Sequence, residues 1–249
     1  MYHFYTDRSN IFEDHIVLDG PDVNHIRNVL RMKDGEELII CDGEGTDHYC
    51  RIRCSDGKKL IADITKSCGS ASELSARIVL FQGLPKKDKM ELIIQKAVEL
   101  GASQIVPVMT KRVIVKTGSE EKGARKLERW QSIAKSAAEQ SGRGVIPQVC
   151  ETVSFDKALE MAGKLECSLI PYENADNSDK GMEETRSLVR SLKGKKSIGI
   201  FIGPEGGFEP GEVSKAVESG FMTISLGRRI LRTETAGLAA LAIIGFELD

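Results

Sequence analysis

SIGIFIGPEGGF, residues 197–208, reads as a buried strand running into a glycine-bearing loop, and Pro210 opens a helix directly after it. MTISLG at 222–227 repeats the pattern, with LGRRILRTETA (226–236) leading into a last helix over 233–246. Successive strand–loop–helix units of this kind predict a mostly parallel sheet with helices on both faces. Outward from them the alternation continues. ARIVLFQG (76–83) is strand-like, Asp88 and Glu91 have capping-box spacing, and Gly101 stands just past the helix that they open. A strand over 105–109, a long helix over 121–141, strands near 145–149 and 168–171, and helices near 155–164 and 183–192 complete an α/β domain over 74–249. On the long helix Leu127, Trp130, Ile133, Ala134, Ala137 and Ala138 keep helical spacing, which makes Trp130 a core residue rather than a base-stacking platform.

Residues 1–70 read differently. Segments at 37–41, 48–54 and 60–64 are separated by Asp34-Gly35, Asp42-Gly43 and Asp56-Gly57 turn signals, the pattern of a small β-barrel or meander. The small, polar run CGSASELS (68–75) marks the boundary. A length of 249 residues accommodates two domains, and 41% hydrophobic with 29% charged residues excludes a disordered or fibrous chain. No run approaches the ~18 apolar residues of a membrane helix. The opening MYHFYTDRSN carries no basic-then-apolar signal, so a cytoplasmic setting without membrane contact is expected. The six cysteines then read as reduced thiols. Cys50-x3-Cys54, with Cys41 and His48 nearby, is the nearest approach to a metal set. Both cysteines would share one face of a strand, the spacing does not favour zinc, and no metal is expected.

A net charge of -2 conceals an uneven distribution. Residues 1–70 hold 9 basic and 13 acidic side chains, residues 71–145 hold 14 and 8, and residues 146–249 hold 12 and 16. The middle block, with Lys86, Lys87, Lys89, Lys111, Arg112, Arg125, Arg129 and Arg143, is what local phosphate recognition would need. A solvated helix face with pairs such as Glu121–Arg125 would give the same count.

Ligands of open α/β sheets bind at the carboxyl ends of the strands. Here two glycine-bearing loops, 203–208 and 226–236, stand at such ends. Common nucleotide loops do not fit them. Gly206 to Gly211 has phosphate-loop spacing, but Glu212 and Val213 replace the required Lys and Ser/Thr, and no G-x-G-x-x-G fingerprint exists. All four histidines (3, 15, 25, 48) precede residue 49 and no G-x-S-x-G elbow occurs, which disfavours a nucleophilic hydrolase. HIRNVLR (25–31) has helical spacing, and Arg27 and Arg31 beside His25 suit an RNA-facing role as well as a structural one.

With HIRNVLR (25–31), MELIIQKAVELGASQIVPV (90–108), ERWQSIAKSAAEQSGR (128–143), IGPEGGF (202–208) and LGRRILRTETA (226–236), the chain resembles the 16S ribosomal RNA (uracil(1498)-N(3))-methyltransferases of the knotted SPOUT superfamily over essentially its whole length. The resemblance implies a PUA-like, RNA-binding barrel over 1–70 and a SPOUT methyltransferase domain over 74–249 ending in a trefoil knot. It also implies S-adenosylmethionine as cofactor, a homodimer, and 16S rRNA in the small ribosomal subunit as substrate.

Carried onto this chain, the cofactor would meet Tyr172, Gly203, Glu205, Gly206, Gly207, Leu226, Gly227, Ile230, Leu231, Arg232, Thr233 and Ala236. Leu226, Ile230 and Leu231 would enclose the adenine, since an amide-lined aliphatic pocket suits a neutral purine. Arg232 could favour the uracil anion, and Glu205 and Glu234 are candidate proton acceptors. An Arg232–Glu234 pair capping the last helix is the structural alternative. His25, Arg27, Arg31, Lys86, Arg112 and Arg143 would face RNA. The rivals are a non-catalytic RNA-binding or ribosome-assembly protein, and a knotted methyltransferase acting on tRNA or a ribose 2′-oxygen.

Overall fold

Alternating apolar residues in the first seventy positions build five strands: β1 (His3–Tyr5), β2 (His15–Asp19), β3 (Glu37–Cys41), β4 (Thr46–Ser55) and β5 (Lys59–Gly69). The computed structural model describes residues 1–86, 88–113, 120–172 and 179–249, so Lys87 of the basic block lies outside the described residues. The five strands form one sheet in the order β1-β3-β4-β5-β2, antiparallel except where β1 runs parallel to β3. The period of two puts Leu38, Ile40, Ile52, Leu60 and Ala62 into one core with Ile16 and Leu18. β1 and β2, at three and five residues, are too short to announce themselves by periodicity.

Two details depart from expectation. Cys50 is buried but Cys54 is exposed, because the β4–β5 register shifts between Ile52 and Cys54 and turns the later side chain outward. The donor cluster that does form in this unit is His3, Cys41 and Asp47. His3 pairs with Asp47 at 3.2 Å, while the Cys41 thiol donates to the Gly144 carbonyl and burial pushes its pKa up to about 12. The second departure is at HIRNVLR. α1 covers only Pro21–Asn24 and passes into a π-helical turn at His25–Val29, after which Arg31 adopts φ 57. The wider turn lets Val23, Ile26 and Met32 all reach the core.

The second sheet is parallel throughout: β6 (Arg77–Gly83), β7 (Ala102–Met109), β8 (Gln148–Val149), β9 (Val153–Ser154), β10 (Cys167–Pro171), β11 (Ser197–Ile202) and β12 (Met222–Ile224). Its order is β12-β10-β11-β6-β7-β8, with β9 on β7. Helices α2 (Lys89–Glu99), α3 (Glu120–Ser141), α4 (Phe155–Ala162), α5 (Asp179–Arg190), α6 (Pro210–Glu218) and α7 (Thr233–Leu248) connect or follow these strands. β6 and β11 lie side by side at the centre, where Phe81 and Phe201 stack at 4.3 Å. Trp130 is a core residue, as its spacing predicts.

The capping box expected at Asp88 does not form. Asp88 makes no side-chain cap, and Glu91 pairs with Arg129 instead. At α6, by contrast, Glu212 is buried and accepts the amides of Glu209 and Lys111, both at 2.9 Å. The strand expected over 145–149 shrinks to Gln148–Val149. The chain divides into two compact units, residues 1–73 with 138–146, and residues 74–137 with 147–249. Thus 138–146, placed in the second domain by the sequence reading, packs with the first. There Gly144 accepts the Gly45 amide at 2.9 Å and Val145 bridges Glu44.

Candidate functional site

β11 and β12 end at the carboxyl edge of the parallel sheet, and the loops that leave them fold toward each other. A Cβ at Gly203 would stand 3.1 Å from Gly207, so the first loop doubles back on its own backbone. Gly207 makes that return with φ 66 and donates to the Pro204 carbonyl at 2.9 Å. Between the two loops lies a cavity of about 400 Å³. It is lined by Tyr172, Gly203, Glu205, Gly207, Leu226, Gly227, Ile230, Leu231, Arg232, Thr233 and Ala236, all expected from the sequence. Ile230 is 89% exposed, so it borders the mouth rather than enclosing the interior.

Gly206 does not join them. Its carbonyl accepts from Arg112 at 2.7 Å, and a Cβ there would meet the Arg112 side chain at 3.3 Å, so this glycine faces away from the cavity.

Lys89, the first residue of α2, also lines the cavity, where the sequence shows only one charge in a basic run. Its ammonium lies 3.1 Å from Glu234 and 3.4 Å from Glu205 and thereby joins the two loops. Glu205 accepts the Lys86 amide as well, at 3.0 Å. Partial burial pushes both carboxyls upward. Backbone amides and the Lys89 ammonium outweigh it and hold both below the usual carboxylate range. Glu234 therefore takes its ion pair from Lys89, and Arg232, at the N-cap position of α7, makes no side-chain cap. Arg232 is exposed at the cavity, beside Arg228 and Arg229.

Gln82 is the other residue that sequence reasoning missed. It is fully buried at the end of β6 and hydrogen-bonds Thr233, whose hydroxyl in turn donates to the Gly203 carbonyl. A lone glutamine in an apolar strand was the signal available.

The RNA candidates divide by exposure. In the first unit His25 and Arg31 are exposed, while Arg27 is spent on Asp34 and on the Met32 carbonyl at 2.7 Å. Arg143 contradicts its assignment. It is 3% exposed and grips Glu73 through Nε and Nη2 at 2.8 and 2.6 Å, a structural ion pair closed to phosphate. In the second unit Lys86 and Arg112 are exposed.

Two family models match the chain, an RNA methyltransferase domain over residues 72–245 and an RNA methyltransferase PUA domain over residues 18–65. The Bacillus subtilis (strain 168) protein named ribosomal RNA small subunit methyltransferase E is 36% identical over 93% of this chain and 90% of its own length. Among solved structures, ribosomal RNA small subunit methyltransferase E from Neisseria gonorrhoeae, bound to S-adenosyl methionine, is 34% identical with a TM-score of 0.80 over 97% of this chain and 95% of that one. A Legionella pneumophila protein in complex with the same cofactor is 30% identical, with a TM-score of 0.79 over 97% and 96%.

Proposed function

This chain belongs to the RNA methyltransferase family, and from that premise we propose that it methylates N3 of uracil 1498 in 16S rRNA, with S-adenosylmethionine as methyl donor. The observation that carries the reading is that the matched domain contains a cavity built from the two glycine loops, of a size that suits a small-molecule cofactor. The Bacillus relative named for small-subunit rRNA and the cofactor-bound Neisseria structure support substrate and cofactor in turn.

The residues present fit that cofactor. Backbone of Gly203, Glu205 and Gly207 and of 226–233 would bind the adenine and ribose, with Leu226 and Leu231 as the apolar walls and Tyr172 and Ala236 completing the lining. S-adenosylmethionine supplies an electrophilic methyl group on a sulfonium centre. The protein's part is to orient the acceptor in line with it and to ease loss of the uracil N3 proton. Arg232, exposed at the cavity, favours the uracil anion by its charge. Glu205 and Glu234, whose proton affinity backbone amides and Lys89 lower, serve as fixed acceptors that orient groups rather than as strong bases.

RNA is held by the PUA-like unit through His25 and Arg31, and by Lys86 and Arg112 in the second unit, as backbone contacts that position the target. A homodimer and a trefoil knot complete the proposal. α7, apolar over most of its length beyond the first turn, leaves Phe246 85% and Ile243 50% exposed, which suits burial against a second copy. Among the described residues no helix is long and apolar enough to cross a membrane; a cytoplasmic reaction belongs to the same proposal.

Labelled S-adenosylmethionine incubated with small ribosomal subunits lacking the modification tests the reading, with mass mapping of the product. A single N3-methyluridine in 16S rRNA is expected. A modified ribose, or transfer to tRNA instead, would reassign the substrate. No transfer together with no cofactor binding would leave a non-catalytic RNA-binding protein.

A further inference from the structure

The buried amide of Gln82 has no counterpart in the chemistry assigned above. Its Nε2 donates to the Gly83 carbonyl and to the Thr233 hydroxyl, each at 2.9 Å. The Thr233 hydroxyl donates onward to the Gly203 carbonyl at 2.6 Å. Both ends of this relay are carbonyls, which only accept, so the direction of every hydrogen bond in it is set. Gly203 is the first residue of one cavity loop, and Thr233 closes the other as the first residue of α7. The relay therefore ties the end of β6 to both loops where they approach each other.

It does so at a cost. Gln82 is 0% exposed and its Oε1 has no hydrogen-bond partner among the described residues. An apolar side chain of the same length would remove that orphaned acceptor, but it would also take the donor from the Gly83 carbonyl and the Thr233 hydroxyl. A buried amide with one end satisfied and the other orphaned, on a line between two halves of a binding site, fits a role in setting the site's geometry.

We propose that Gln82 is a positioning residue of the methyl-transfer site: acting through the Thr233 hydroxyl, it fixes the Gly203 carbonyl and with it the spacing of the two loops around the cofactor. This role rests on the reading of the cavity as the S-adenosylmethionine site. Gln82 touches neither cofactor nor RNA, and its effect is expected in cofactor affinity and KM rather than in the chemical step.

The test compares wild type with Gln82→Met, Thr233→Val, Thr233→Ser and the Gln82→Met/Thr233→Val double variant. Readouts are S-adenosylmethionine affinity by calorimetry, kcat and KM, and the unfolding midpoint. Gln82→Met and Thr233→Val are each expected to weaken cofactor binding about three- to tenfold, the effect of one hydrogen bond. The stability lost by Gln82→Met, read from the unfolding midpoint, should be smaller than its loss of affinity. Thr233→Ser keeps the hydroxyl and should retain wild-type affinity. The double variant should be no weaker than Thr233→Val alone, because the two act in series. Cofactor affinity of Gln82→Met within about twofold of wild type would overturn the role, as would an affinity loss tracked by a matching loss of stability. Thr233→Ser as impaired as Thr233→Val would do the same. A wild-type protein that binds no S-adenosylmethionine would overturn the functional reading, and this role with it. Normal wild-type binding left unchanged by Gln82→Met overturns the positioning role alone.

Discussion

Arg232 and Lys89 are both cations at one cavity, yet their surroundings separate their tasks. Arg232 is exposed, whereas Lys89 is held between two carboxylates. Arg232→Ala is therefore expected to abolish methylation while leaving cofactor binding intact, and near-normal turnover would remove it from the mechanism. Lys89→Met should change the pH dependence of cofactor affinity. A carboxylate whose pKa is lowered stays ionised, and keeps its hydrogen-bonding and charge role at the cavity, until pH falls below the ordinary carboxylate range. Affinity in the wild type should accordingly hold through the ordinary carboxylate range and fall only below it. Without Lys89 that fall moves to higher pH, and superimposable calorimetric profiles would show that Lys89 does not set it. Arg143 stands at the other extreme. Removing one partner of a buried pair costs about 3 kcal/mol, so Arg143→Ala should lower the unfolding midpoint. The salt dependence of RNA binding should stay unchanged, because Arg143 releases no counterion.

At the scale of elements, the first loop depends on one backbone conformation. Gly207 sits at φ 66, where a β-branched side chain is strained, and nothing among the described residues lies within 4 Å of the place its Cβ would occupy. Gly207→Val thus strains the turn and projects into the cavity at once. Cofactor binding should weaken by tenfold or more, since the left-handed conformation alone costs a non-glycine residue about 1–2 kcal/mol. Unchanged calorimetric affinity would mark the loop as structural only. The π-helical turn at His25–Val29 shows how an element resists a reading by period. HIRNVLR has helical spacing, but one wider turn satisfies the same apolar positions and leaves His25 and Arg31 exposed. The register shift in β4 has the same lesson for Cys50 and Cys54, because it sends a side chain to the opposite face.

At the scale of the whole molecule, α7 carries an apolar surface that a monomer would leave in water. Phe246→Asp is expected to give a monomer in light scattering and to reduce methylation with it. A dimer that persists with full activity would place the subunit contact elsewhere. The sequence by itself determined the α/β alternation, the small β unit, and the two glycine loops that line the cavity, because strand, helix and turn signals are local and recur with short periods. Only the tertiary structure decided which side chains act together. Lys89 reaches Glu234 across 145 positions and Gln82 reaches Thr233 across 151, pairings that no period in the chain encodes. The same holds for what was misassigned. Arg143 carries the charge of a phosphate ligand and Gly206 stands in the middle of a binding motif, but Glu73 buries the first and Arg112 turns the second away. A residue's type states what chemistry it can do, and its distant neighbours decide whether it is free to do it.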